Sequence, residues 1–157
     1  MPRTALEHFE QAAALLVLVL WLTYVAQAWS SLPERVPVHF GPHGQVDRWG
    51  GRSNMLLLPV LGTISYALFS LLERVPHIYN YPVRVTEQNA AELYLAGRRL
   101  LLGVKLILVS SFAYLFYASV HVARGEADAL SPWFVPALLV PLLAVTATGM
   151  LKMMRAR

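Results

Sequence analysis

The sequence predicts an all-α membrane protein with four transmembrane helices and an ordered extracytoplasmic loop between the first two. Hydrophobic residues make up 57% of the 157 residues and charged residues only 14%, against about a quarter in ordinary soluble domains. The apolar residues lie in four blocks, each close to the roughly 20 residues that a bilayer requires. Polar segments with Pro and Gly separate the blocks. A lipid environment explains this pattern, whereas one water-soluble core does not.

The four spans are predicted within a single domain, 1–157. They cover about residues 12–29, 55–72, 100–122 and 133–151, with a long loop at 30–54 and another at 73–99. The first block has an alternative interpretation as a cleaved signal peptide, because Ala26-Gln27-Ala28 fits the small-x-small cleavage pattern. The length of the block and the acidic Glu7 and Glu10 before it favour a retained span.

The basic residues predict that both termini are cytoplasmic. With the N-terminus inside, the cytoplasmic ends and loop carry eight Arg and Lys residues and the opposite side carries four. Short cytoplasmic loops are enriched in these residues. We therefore expect a multi-pass protein of the bacterial plasma membrane, with loop 30–54 outside the cytoplasm. The arginines form no basic stripe, so the expected partner is the lipid bilayer and no nucleic acid.

The loop between the first two spans carries the residues that suggest a family. Its core is Pro, His-Phe, Gly, Asp-x-Trp-Gly and a basic residue. This segment resembles the domain of unknown function at the N-terminus of SdpI-type membrane proteins, some of which give immunity to a secreted toxic peptide and relay its presence. The matching positions are Pro33, Pro37, His39, Phe40, Gly44, Asp47, Trp49 and Arg52. The chain departs from the family at Gly41, where many relatives have a polar residue, and at Val46, where many have Pro.

The resemblance implies a sensor or immunity-type protein, more in keeping with a non-enzymatic role, that binds a peptide, a lipid headgroup or a partner through this loop. The residues expected to form or support the site are His39, Phe40, Asp47, Trp49 and Arg52. A plainer role is also open. His39 and Asp47 would then shape the loop by hydrogen bonds, and Trp49 would anchor it at the membrane interface.

A second hypothesis is a small metal-dependent enzyme that acts at the outer leaflet. His39, His43 and Asp47 supply two imidazoles and a carboxylate, which suffice for a divalent ion such as zinc and leave a position for water. His121 at the end of the third span is a further candidate ligand. The glycines between these residues oppose a helix, so a loop would have to bring the ligands together. Apart from this metal, no cofactor is expected.

Lys105 lies inside the third span, where a lysine costs about 2.5–3.5 kcal/mol on insertion scales. It either extends toward the cytoplasmic headgroups near Arg99 or acts as a buried functional cation. The predicted spans contain no Asp or Glu, which argues against a proton-coupled carrier. Glu73 is given no role. Small residues such as Gly62 and Gly149 also allow helix packing in a homo-oligomer or in an accessory subunit of a transporter.

Overall fold

The structure is a computed structural model that describes residues 3–156. Within this range its long helices are α1 (Ala5–Trp29), α2 (Leu57–Leu72), α3 (Ala90–Ala123) and α4 (Phe134–Arg155). By length and composition, each of them is able to cross a membrane, α2 together with the 3-10 turn Arg52–Leu56 that precedes it. The predicted all-α fold with four membrane-spanning helices is confirmed.

Helices α1 and α3 both extend beyond the predicted spans at the same end of the bundle. α1 begins at Ala5, behind a capping box in which the Thr4 hydroxyl accepts from the Glu7 N–H (3.3 Å) and the Glu7 carboxylate accepts from the Thr4 N–H (2.8 Å). Before α3, Thr86 and Asn89 exchange the equivalent two hydrogen bonds. These caps add helical turns that carry polar side chains, which the hydropathy pattern alone excluded from the spans.

Helix α3 lies at the centre of the bundle, and the other three helices pack mainly against it. Trp21 of α1 stacks on Phe112 of α3, with ring centroids 6.5 Å apart. Gly62 of α2 lies directly against the Trp21 ring, which brings these two helices close together. α2 and α4 make little contact with each other, and this leaves space between them over α3.

The loop at 30–54 contains an antiparallel hairpin of β1 (Arg35–Phe40) and β2 (Val46–Gly51). The turn-forming and apolar residues of this loop predicted that it is ordered, but no strands were predicted. The first strand is hard to predict from sequence because it contains a proline, which removes a backbone donor and is confined to strand edges and bulges. Gly44 in the connecting turn has φ +81°, a backbone conformation that favours glycine.

The hairpin register is interrupted once on each strand. Val38 on β1 and Asp47 on β2 are skipped, so that His39 pairs with Arg48 one residue out of the register that holds before and after. Bulges of this kind change the direction of side chains and are frequent beside functional sites. The interruption falls at the residues of the His-Phe and Asp-x-Trp motif.

The hairpin is attached to the bundle through β1 and through its turn. Val36 is completely buried where β1 contacts α3. In the α3–α4 connection, the Leu130 N–H donates to the Gly44 carbonyl (2.8 Å), and Ala129 pairs with Gln45. We call this side, residues 30–56 and 124–133, the hairpin end. The opposite side, residues 3–11, 70–105 and 149–156, is the polar end.

Candidate binding groove and buried ion-pair network

A groove of about 970 Å³ lies at the hairpin end, between the hairpin and helices α2, α3 and α4. This volume is at the upper end of the range of small-ligand sites, about 300–1,000 Å³. Its walls from the helices are mostly apolar. They include Met55, Leu57 and Leu58 before and in α2, Leu115 and Ser119 of α3, and Phe134 and Val135 of α4. The groove therefore occupies the space that α2 and α4 leave open over α3.

The edge of β1 forms the fourth wall of the groove. Four consecutive residues of this strand, from Pro37 to Phe40, line it. Successive side chains of a strand point to opposite faces, so one face would contribute only every second residue. The run of four crosses the interruption at Val38 and places this part of β1 along the groove. Within residues 3–156 the sheet has two strands, and β2 takes the other edge of β1.

The polar side chains that line the groove are neutral or basic. They include Arg48 and both histidines of the hairpin, His39 and His43, together with Asn54 and Ser131. Among the described lining residues there is no Asp or Glu. A ligand that fits this chemistry is apolar over most of its surface and neutral or acidic near the hairpin.

The structure brings together two of the predicted site residues, His39 and Asp47. Their side chains, about half exposed, meet at 2.7 Å between Nδ1 and Oδ1. Because His39 belongs to the shifted pair and Asp47 is the skipped residue of β2, the contact links the two strands at the interruption. Of the predicted site, His39 and Phe40 line the groove, and Asp47 acts on it through His39.

Trp49 and Arg52 lie elsewhere. Neither lines the groove. The Arg52 guanidinium lies over the ring of Trp29 at 5.3 Å from the centroid, and Trp49 remains substantially exposed. This Arg–Trp contact joins the end of the hairpin to the end of α1. The anchoring role of Trp49 at the membrane interface stays a prediction.

The predicted metal ligands do not come together. Within the described residues, no group of three or more His, Asp and Glu side chains is placed to hold a metal ion. His43 lies in the hairpin turn, where its backbone N–H donates to the Gln45 side chain (3.1 Å). His121 pairs with Glu126 at 2.5 Å. The His39–Asp47 contact therefore includes neither His43 nor His121.

At the polar end, Lys105 is completely buried and forms an ion pair with Glu73 at 2.6 Å. Its ammonium also donates to Gln11 Oε1 (2.8 Å) and Ser70 Oγ (3.3 Å) and lies 5.1 Å from the centre of the Tyr66 ring. Of the two alternatives for Lys105, extension to the headgroups is therefore wrong. The lysine is an internal cation that joins α1, α2 and α3.

A second buried pair lies beside the first. Arg98 Nε is 3.1 Å from Glu7 Oε1, and both side chains are almost completely buried. Gln11 donates to Glu73, and Arg3 reaches the same carboxylate at 3.5 Å. Carboxylates thus neutralise cations inside this end of the bundle, and both of them, Glu7 and Glu73, lie just outside the predicted spans.

The roles of Glu73 and Glu7 were not predicted from the sequence. One signal was available, because a lysine within a span requires a partner. Glu73 directly follows the end of α2, and Glu7 and Gln11 are separated by one helical turn, so both lie on one face of α1. An acid at the depth of Lys105 could have been sought on the neighbouring helices.

Tyr79 covers this network in the segment between α2 and α3. Its hydroxyl donates to the Leu72 carbonyl at the end of α2 (2.7 Å). Burial, with a smaller contribution from the negative charge of Glu73, raises the pKa of Tyr79 to about 12. Burial likewise raises the pKa of Tyr81, whose hydroxyl donates to the Pro76 carbonyl (2.8 Å). Both hydroxyls therefore stay protonated and act as donors.

The fold and the groove define a multi-pass membrane protein with a hairpin over one end of its helical bundle. Residues 14–63 match the family model of a domain of unknown function, DUF1648. This range covers most of α1, the whole hairpin and the start of α2, so the recognised domain includes the hairpin wall of the groove. The predicted resemblance to this domain is confirmed.

An uncharacterised protein of the archaeon Archaeoglobus fulgidus is 33% identical over 121 residues. The aligned region is 67% of this chain and 64% of that protein, so the chain spans less than two thirds of the relative's length. No solved structure matches the chain. The links to SdpI-type immunity and to a bacterial source stay predictions.

Proposed function

We propose that the protein is a membrane-embedded binding protein of the sensor or immunity type, which takes an extended apolar peptide into the groove at its hairpin end. The observation that carries this proposal is the edge of β1. A strand edge along an otherwise apolar groove offers backbone N–H and C=O groups to a ligand that can pair with them. An extended peptide has the matching groups and would add to the hairpin as a third strand.

The apolar helices around the groove favour this pairing. Unpaired backbone groups are costly in an environment from which water is excluded. A peptide strand satisfies them, while its side chains contact Leu57 on one side and Val135 on the other. A lipid chain fills the same space but offers no partner for the strand edge. The edge therefore favours a peptide over a lipid.

The charge of the lining residues indicates which peptide fits. His39 and Arg48 present an imidazole and a guanidinium, and a carboxylate on the ligand would pair best with the guanidinium. We therefore propose a mostly apolar segment with an acidic group beside the hairpin. The His39–Asp47 contact keeps the imidazole in place for this interaction.

We further propose that the hairpin end faces the outside of a cell membrane and that both termini are cytoplasmic. The excess of Arg and Lys at the polar end supports this orientation. It exposes the groove to peptides from the surroundings. The buried network would then form the rigid cytoplasmic side from which α2 and α3 pass a change of packing to a partner.

A direct binding experiment tests the proposal. The probe is a dansyl-labelled peptide of alternating valine and threonine with one central glutamate, added to purified protein in neutral detergent micelles. We expect saturable binding that is lost when alternate backbone nitrogens of the peptide are methylated, because methylation removes the donors that pair with β1. Equal binding of both peptides would overturn the proposal, as would displacement of the probe by phospholipid with no effect of methylation.

Two variants of α4 locate the binding site. Val135 lines the groove, whereas Val140 is on the same helix, is also exposed and does not line it. Val135→Trp should fill the groove and weaken binding at least roughly tenfold, or about 1.4 kcal/mol. Val140→Trp should leave the affinity unchanged. Equal losses in both variants would place the peptide outside the groove.

A further inference from the structure

A second, smaller cavity of about 310 Å³ opens at the polar end beside the buried ion pairs. Its walls are Arg3, Glu73, Arg74, Pro76, Tyr94 and Arg98. Three arginines and one glutamate therefore line one small space. The carboxylate is already neutralised, since Glu73 pairs with Lys105 at 2.6 Å inside the bundle.

The surrounding charges do not balance. Within the described residues of the polar end there are eight Arg and Lys side chains and five Glu side chains, so three positive charges are in excess. Arg74 is exposed at the rim, and Arg3 is one-third exposed and only 3.5 Å from the Glu73 carboxylate. Both are free to turn toward an anion without breaking the Lys105–Glu73 pair.

The depth of the cavity indicates the kind of anion. Arg3 lies just before α1, and Arg74 lies two residues after the end of α2. Both therefore lie where a spanning helix meets the headgroup layer. Guanidinium groups bind phosphate oxygens with two parallel hydrogen bonds. Basic pockets between spanning helices are suited to acidic lipid headgroups.

We infer that this cavity binds a phosphate group through Arg3 and Arg74, and that Glu73 in its wall stays paired with Lys105. The phosphate comes either from an acidic phospholipid of the same leaflet or from a phosphorylated solute. This site is independent of the peptide groove, because the two lie at opposite ends of α2. Occupation would tie the start of α1 to the end of α2.

Thermal unfolding in neutral, phosphate-free detergent micelles tests this inference. The added probes are phosphatidylglycerol, phosphatidylcholine and inorganic phosphate. We expect the melting temperature to rise with phosphatidylglycerol and to change little with phosphatidylcholine, whose choline offsets the phosphate charge. A rise with inorganic phosphate alone would support the site and assign it to a soluble ligand. Equal effects of both lipids and none of phosphate would overturn the inference.

Two arginine variants separate a defined site from general charge attraction. Arg74 lines the cavity, and Arg84 is an exposed arginine of the same connecting segment that does not. Arg74→Gln should reduce the apparent affinity for the effective probe roughly tenfold. Arg84→Gln removes the same charge and should leave it unchanged. Equal losses in both would show nonspecific attraction and overturn the site.

A third variant guards against a change in the fold itself. Arg74→Lys keeps the charge and loses the two-pronged donor geometry, so its affinity should lie between those of the natural chain and Arg74→Gln. All three variants should melt at the same temperature in the absence of probe. If Arg74→Lys binds as tightly as the natural chain, charge alone is recognised and the phosphate geometry inferred here is wrong.

Discussion

The two ends of the bundle hold their charged side chains in opposite ways. At the hairpin end, His39 and Asp47 meet at the surface, with their side chains 53% and 45% exposed. At the polar end, Lys105 and Glu73 meet inside the bundle, with side chains 0% and 1% exposed. The first pair joins residues eight positions apart in one hairpin, whereas the second joins two helices. The exposed pair can shape a binding surface at little energetic cost, while the buried pair fixes the helices.

This difference assigns separate tasks to the two ends. Water competes for the charges of an exposed pair, so such a pair contributes about 0–1 kcal/mol. Removing one partner of a buried pair leaves an uncompensated charge and costs about 3–5 kcal/mol. We therefore expect the polar end to determine stability and the hairpin end to determine recognition.

Glu73→Leu should lower the free energy of unfolding by about 3–5 kcal/mol, because Lys105 is left buried without its carboxylate. Unfolding in mixed micelles with increasing denaturing detergent measures the loss. The matched change at the hairpin end is Glu126→Leu, which removes the half-exposed partner of His121 and should cost no more than about 1 kcal/mol. Adding Lys105→Met to Glu73→Leu should recover most of the loss. Equal costs for Glu73→Leu and Glu126→Leu would remove the proposed distinction.

The second-largest loss of stability is expected from a change in the helix packing between the two ends. In Gly62→Val, the new side chain would collide with the Trp21 ring that joins α1, α2 and α3, and overpacking of this kind costs about 1–3 kcal/mol. Gly51→Val is the control, since a Cβ at Gly51 meets only the Asn54 side chain at 4.0 Å. The same unfolding assay compares them. A Gly62→Val chain as stable as the control would show that this contact does not couple the helices.

The polar end should also weaken at high pH through Tyr79. Its pKa is about 12 in the fold because of burial, and near 10 in the unfolded chain. Its contribution to stability is therefore complete below about pH 10 and is lost as the pH rises to about 12. The stability of Tyr79→Phe should fall less steeply over this interval than that of the natural chain. If the stability of Tyr79→Phe and that of the natural chain fall equally between pH 9 and 12, Tyr79 ionises as freely in the fold as in the unfolded chain.

The smallest expected loss of stability is at the hairpin. Asp47→Ala removes the 2.7 Å contact with His39, and because both groups are about half exposed it should cost less than about 1 kcal/mol. Its effect on peptide affinity should be larger, since the contact orients the bulged edge of β1. Peptide binding and unfolding are measured on the same preparation. A variant that loses stability but keeps its affinity would assign the pair to the fold alone.

The sequence predicted the four helices because each apolar block is a continuous stretch of residues long enough to cross a bilayer. It also predicted that His39, Phe40 and Asp47 lie near one another, since all three belong to one short segment. The strands were missed because Pro37 stands inside the alternating run Val36, Val38 and Phe40, and a proline there disfavours a strand.

The buried ion pairs at the polar end could not be predicted from the sequence in the same way. Glu7, Glu73, Arg98 and Lys105 come from three helices, and only the packing of those helices brings them together. Lys105 alone stood out, as a charge within an apolar block. The groove was equally hidden, because its walls come from a strand edge and three helices that are separate in sequence.

The central claim is that a bilayer lies between the hairpin end and the polar end. The chain has no cysteine, so single cysteines can be introduced as unique labels. Trp49→Cys and Arg84→Cys place one exposed label at each end. In intact spheroplasts, a membrane-impermeant maleimide should react with Trp49→Cys, and with Arg84→Cys only after the membrane is opened. Equal reaction of both variants before opening would contradict the claim, and the reverse pattern would overturn the proposed orientation.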